Sequence, residues 1–291
     1  MPRISMMPTF FRELLGKKEI HREPEPDLIM DDEEQVKAYA EAGRIDGVMS
    51  ASYLFHSARI TSVISGKKNV IDLGCGPATQ LGQVASLNPD IHFTGIDLSE
   101  QMLKDAREYV KTLGLKNVEF MQGNITELSQ IKTQSVDAVM STMALHHLPT
   151  EQDLKNCFLE INRILKPDGA LYLTDFGRLK SLYSILFFAY LNKEHQPALF
   201  SLDYERSLRA AFSVSDFVSL TDEVFINRQI DVLHTFGIPI LQIIKTPDYS
   251  LSDEKSLTFK KMRKALPAKY QRELDDIRLF FWLSGLRNDP F

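Results

Sequence analysis

Between residues 69 and 174 short apolar runs alternate with stretches whose apolar positions recur every three or four residues. The runs at 69–73, 92–97, 118–122, 137–141 and 170–174 read as strands, the fourth almost continuously apolar, as in a strand covered on both faces. A helix over 80–86 follows the first. After the second, Ser99 is placed to cap a helix that turns Met102, Leu103, Ala106, Tyr109, Val110 and Leu113 inward. Thr150 with Asp153 starts another, with Leu154, Cys157, Phe158, Ile161, Ile164 and Leu165 at helical spacing. Repeated strand–helix units predict a parallel, doubly wound α/β sheet over 67–178.

The flanks differ. Residues 1–30 read as an extended segment, and the Pro-, Asp- and Glu-rich stretch 21–34 as a surface connection. Asp31 with Glu34 opens a helix to about 42, and a second over 46–65 carries Met49, Tyr53, His56, Ile60 and Ile64 on one face. Together they form a helical cap over 31–66. Residues 179–222 are apolar, aromatic and mostly helical. Stretches 225–233 and 240–244 alternate like paired strands, and 257–286 reads as two helices parted near Pro267. The closing strands and C-terminal helices thus fall within 223–291.

Composition narrows the function. A chain of 291 residues with 44% hydrophobic content can bury a full α/β core with additions. A net charge of −5 argues against a nucleic acid held by its phosphates. Cys75 and Cys157 form neither a disulfide framework nor a metal motif, so the chain reads as cytoplasmic and reduced. No apolar run reaches signal-peptide or membrane-spanning length.

The chemistry is densest at 70–79, Val-Ile-Asp-Leu-Gly-Cys-Gly-Pro-Ala-Thr. Asp72 ends the first strand, and Gly74 and Gly76 let the backbone turn tightly against a ligand at the start of a helix, whose amides face the turn. Asp97 closes the second strand about 20 residues on, where a carboxylate accepts hydrogen bonds from a ribose diol. Nicotinamide enzymes use the same device. Thr79 stands where a dinucleotide fingerprint has its third glycine.

With Gly95-Ile96-Asp97-Leu98-Ser99, Gly123-Asn124-Ile125, Ala144-Leu145-His146-His147-Leu148-Pro149 and Lys166-Pro167-Asp168-Gly169 in this order, the chain resembles the class I S-adenosylmethionine-dependent methyltransferases over about 67–178. It is nearest the small-molecule group that includes quinone-biosynthesis enzymes. The resemblance implies a Rossmann-like seven-stranded sheet with an antiparallel last strand, an N-terminal helical cap and a helical insertion and C-terminal extension. The tail beyond the family core is a departure. It also implies S-adenosylmethionine as cofactor and S-adenosylhomocysteine as product. Asp72 would border the methionine end, and Asn124 and Ile125 would hold adenine at its amino group and its face. Gly74, Cys75, Gly76, Leu98, Met102 and Met143 complete the implied cofactor set with Asp97.

His146 and His147 follow the fourth strand, at the edge where open sheets place ligands. Either could take a proton from a hydroxyl or amine, or merely orient the loop. Adjacent histidines are expected to point apart with no acid at ligand spacing, which disfavours a metal. Asp175 joins them as a catalytic candidate. Phe176 and Arg178 should rim an acceptor pocket with Tyr183 and Tyr204, from an aromatic segment that is either a substrate lid or a homodimer face. Tyr39 and Tyr53 are lid candidates from the cap. The loop Ser141-Thr142-Met143-Ala144 lacks the Asn/Asp-Pro-Pro-aromatic pattern of base and glutamine methylation, and no Pro-Cys pair is present there. The expected activity is O- or N-methylation of a small molecule by in-line displacement. RNA or protein methylation, nicotinamide binding and a non-catalytic cofactor-binding module are the alternatives.

Overall fold

The computed structural model describes residues 6–26 and 47–291. Seven strands form one sheet in the order β3-β2-β1-β4-β5-β7-β6. They are β1 (Asn69–Leu73), β2 (His92–Asp97), β3 (Val118–Gln122), β4 (Val136–Thr142), β5 (Leu165–Phe176), β6 (Asp231–His234) and β7 (Leu241–Lys245). β1 to β5 pair in parallel, while β7 runs antiparallel to both its neighbours, β5 and β6. The expected antiparallel last strand is therefore β7, inserted one place in from the edge.

Strand side chains alternate between two cores because successive residues face opposite sides of a sheet. Val70, Phe93, Ala138, Met140 and Tyr172 enter one core. Ile71, Leu73, Ile96, Val139, Leu171 and Leu173 enter the other. The first core is covered by α2 (Ser50–Val63), α3 (Thr79–Leu87) and α4 (Glu100–Thr112), with α9 (Asp253–Ala265) and α10 (Ala268–Leu283) outside α2. The second is covered by α5 (Glu151–Ile164) and α8 (Val214–Val224), joined at the top of the sheet by α6 (Leu182–Tyr190) and α7 (Ala198–Ala210). The Ser99 hydroxyl caps α4 by accepting from Met102 N, and Thr150 with Asp153 forms a reciprocal capping box on α5.

Three local features depart from expectation. The N-terminal segment expected to be extended contains a helix, α1 (Met7–Leu15), fixed where Glu13 Oε2 accepts from the amide of Lys180. The expected helix at 31–42 lies outside the described residues. In α2 all residues but Ser52 are buried, not one face, because the C-terminal helices cover the side away from the sheet. Its His56 is a core residue, with Nδ1 2.7 Å from the Tyr172 hydroxyl. Finally, the turn at 166–169 is absorbed into β5 as a bulge, since Val136 pairs with Leu165 and Ala138 already with Ala170. Among the described residues no helix is long and apolar enough to cross a membrane.

Candidate active site

The carboxyl ends of β1, β2 and β4 open onto a cavity. Gly74 and Gly76, both at positive φ, turn the chain out of β1. A Cβ on Gly74 would lie 2.4 Å from the Ala144 Cβ, whereas one on Gly76 would project into open space. Gly74 thus permits close packing on the β4 loop, and Gly76 leaves the cavity floor clear. Asp97 binds the turn across the strands: its Oδ2 accepts from Gly76 N at 2.8 Å and its Oδ1 from Ser99 N at 3.0 Å. Burial raises its pKa against these amides. Leu98, Met102, Asn124, Ile125, Met143 and His147 line the same space.

Asp72 and Cys75 are buried and do not line it. Burial, then the charge of Asp97, pushes the Asp72 carboxyl well above the usual range, and its Oδ1 has no protein partner. Cys75 turns inward, its Sγ in contact range of the position a Gly95 Cβ would take. Asn124 Oδ1 accepts from both Thr126 N and Thr126 Oγ1. Its amide NH2 is what remains for a ligand. That donor complements a ring nitrogen and not the amino group expected from sequence.

The two histidines do not point apart. Their ring centroids lie 4.2 Å apart, the planes tilted by 36°, in a 3₁₀ turn, Leu145–His147, because each is held by its own carboxylate. His146 Nδ1 lies 2.6 Å from Asp175 Oδ1, and His146 N donates to Asp175 Oδ2 at 2.9 Å. His147 Nδ1 lies 2.6 Å from Glu25 Oε2. Burial disfavours a charged His146, but Asp175 and Glu25 outweigh it and raise the pKa. Burial opposes ionisation of Glu25 too, yet His147, His146 and Ser207 hold it at about 2. Glu25, His146 and His147 bring three ligand-type atoms within 4.8 Å. However, the 2.6 Å contact is that of a hydrogen-bonded pair, closer than the roughly 3.3 Å separating ligands around a tetrahedral ion at ~2.0–2.1 Å.

Sequence spacing could not find Glu25. It arrives on a strap, residues 17–26, that the composition marks only as a polar connection. Arg22 clamps this strap: its guanidinium donates to the carbonyls of Ala210, Pro149, His146 and Leu148 and stacks 3.9 Å over Phe212. Asp203 and Arg206 of α7 also line the cavity beside Glu25.

A second, mainly apolar cavity lies beyond Met143, which lines both. Met143 follows β4 at φ +54, a conformation rare for non-glycine residues and frequent at functional sites. Phe176 and Tyr204, their rings 5.2 Å apart, line the apolar cavity with Phe188, Phe200, Ile238 and Phe280. A small third cavity, walled by His146, His147, Phe176 and Tyr204, lies at the junction.

Three substrate candidates lie elsewhere, and one is undescribed. Tyr53 is buried in the core under α3. Arg178 is committed to Asp216 and the Ala211 carbonyl. Tyr183 is 72% exposed because α6 turns Ser184, Ile185 and Ala189 inward. Tyr39 lies outside the described residues.

These features define a nucleotide-type Rossmann-like domain with a ligand crevice at the carboxyl edge of its sheet. Residues 64–198 match the methyltransferase domain family, and the fold is that of the class I S-adenosylmethionine-dependent methyltransferases. Among named relatives, the chain is similar to demethylmenaquinone methyltransferase of Listeria welshimeri, with 39% identity over 108 residues, 37% of this chain and 44% of that protein. The same-named protein of Bacillus cytotoxicus is 32% identical over 139 residues, covering 46% and 56% respectively. The chain thus spans about half the length of these relatives. An O-methyltransferase family protein from Burkholderia thailandensis shares the fold with a TM-score of 0.56 at 17% identity, over 85% of this chain and 68% of that one.

Proposed function

We propose that this protein transfers a methyl group from S-adenosylmethionine to a small, largely apolar acceptor. The observation that carries the reading is the meeting of two cavities of different character at Met143, beside two carboxylate-held histidines. The residues fit the cofactor: Gly76 leaves a cradle that a Cβ would fill, and Asn124, which lines the same cavity, keeps its amide NH2 for a ligand. Asp97 and Asn124 would hold the nucleoside, Ile125 and Met102 its faces, and the Asp72–Gly76 turn the methionine portion. When bound, the cofactor supplies an electrophilic sulfonium methyl.

The chain then has two tasks. Its apolar cavity orients the acceptor and excludes water. Its His146–Asp175 pair holds Nδ1 so that Nε2 can take a proton from an acceptor hydroxyl. Asp175 favours the imidazolium that results. The apolar lining does not suit an RNA backbone, which needs cationic contacts.

Calorimetric titration tests this. S-adenosylmethionine and S-adenosylhomocysteine should both bind and NADH should not; Asp97→Asn, which keeps one of the two amide contacts in the turn, should abolish binding of both while the protein still melts cooperatively. No binding of either sulfur compound by the wild type would refute the reading.

A further inference from the structure

Helix α1 seats Phe10 on the core beside Phe236 yet leaves a second apolar face uncovered. Its buried side chains are Thr9 and Glu13, while Met7, Phe11, Leu14 and Leu15 are exposed, Phe11 by 50% and Leu15 by 75%. Positions 7, 11, 14 and 15 form one stripe on a helix. Beside it, α6 exposes a second stripe of Leu182, Tyr183, Leu186 and Tyr190. The two helices pack together, tied where Glu13 accepts from Lys180 N and where the Arg12 guanidinium sits 5.3 Å over the Tyr183 ring. Monomeric soluble proteins rarely leave so many large apolar side chains contiguous and exposed.

The charges around the stripes name the occupant. Residues 6–19 and 180–194 carry five cations, Arg12, Lys17, Lys18, Lys180 and Lys193, against two exposed acids, Glu19 and Glu194, and the buried Glu13, so the rim is net positive. The chain as a whole carries −5, so this cationic rim opposes the average. An apolar face edged by lysine and arginine is the signature of a helix that lies in an anionic lipid surface. The face also adjoins the apolar cavity, which Met6 before α1, Phe188 of α6 and Leu191 just after it help to line.

We propose that the α1–α6 face docks this protein on an anionic membrane surface and sets the mouth of its apolar cavity against the lipid. The docking stands on the exposed stripes and their charge; the delivery of a lipid-dissolved acceptor rests on the methyl-transfer reading. Apolar side chains enter the headgroup boundary while the cations meet phosphate oxygens.

The test is co-sedimentation of the full chain with vesicles of phosphatidylcholine alone or of equal parts phosphatidylcholine and phosphatidylglycerol. The wild type should sediment with the mixed vesicles, less with the neutral ones, and less at high salt. Phe11→Ser combined with Leu15→Ser should weaken partitioning at least about tenfold, since both lose apolar contact with lipid. Both positions are exposed, and a circular dichroism melt checks that the fold is kept. Wild type left in the supernatant, or a double variant that sediments like wild type, overturns the proposal. So does a wild-type dimer that the double variant dissolves while neither binds vesicles. Calorimetry in solution tests cofactor binding separately, so the two readings fail independently.

Discussion

Removing the Arg22 side chain should cost far more than its place in a polar, proline-rich strap implies. The guanidinium uses Nε, Nη1 and Nη2 to reach four carbonyls, at 2.7 Å (Ala210), 2.7 Å (Pro149), 3.1 Å (His146) and 2.5 Å (Leu148). A hydrogen bond from a charged donor contributes about 1.5–3 kcal/mol, but bonds from one group are not additive. The Phe212 stack contributes about 1 kcal/mol more. Against this, burial lowers the Arg22 pKa, so part of the gain offsets desolvation. The net expectation for Arg22→Ala is a loss of about 4 kcal/mol, a large fraction of an ordinary domain's 5–15 kcal/mol. Arg22→Lys keeps the charge and loses the planar fork, so it should fall between wild type and Arg22→Ala. Urea denaturation followed by circular dichroism reads all three. A loss below about 1 kcal/mol in Arg22→Ala, with the slope unchanged, would show that the strap is not clamped by this residue.

Other perturbations separate the roles of the site. Asp175 and Glu25 raise the His146 pKa, so its charged form adds stability below the ordinary imidazole pKa and loses it as pH rises through the raised value. Asp175→Asn should lower that pKa, shift the acid limb of the methyl-transfer profile to lower pH, and slow the reaction about 10²-fold or more in a labelled-methyl assay; an unmoved limb would remove His146 as the base. Gly74→Ala should cost more than about 2 kcal/mol, from positive φ and the clash with Ala144, while Gly76→Ala should cost about 1 kcal/mol yet weaken S-adenosylhomocysteine binding strongly. Equal melting shifts for the two would contradict this. His56, buried with a pKa near 3, stays neutral in the fold, so it contributes stability above the ordinary imidazole pKa that fades as pH falls toward 3. His56→Gln, which can still accept from the Tyr172 hydroxyl, should flatten that acid limb by a few kcal/mol.

The central strands were legible because parallel strands covered on both faces leave continuous apolar runs, and β1, β2 and β3 begin and end where those runs do. The Gly74–Gly76 turn and Asp97 were legible because their work is local: a backbone turn and a carboxylate facing it across one strand-pair. Glu25 was not, since it meets His147 from more than a hundred residues away and no periodicity encodes that contact. Tyr183 and Phe188 lie on one aromatic helix, and its sequence alone cannot say which turns inward; the packing of Ile185 and Ala189 decides. Tyr53 was misplaced for a related reason. A helix expected to cap the site is instead enclosed by α10, whose contribution lies more than 200 residues away.

The position of β7 bears on how the chain is made. β5 is complete at Phe176, yet its outer edge stays unpaired until Leu241–Lys245 has left the ribosome, because β7 and not β6 lies against it. At about 5–20 residues per second, those roughly 70 residues of delay leave a long apolar strand edge open for several seconds. An open edge of that kind is where nascent chains pair with one another. Synthesis stalled between β6 and β7 should therefore yield aggregates, even though the segment that carries the Gly74–Gly76 turn is already complete.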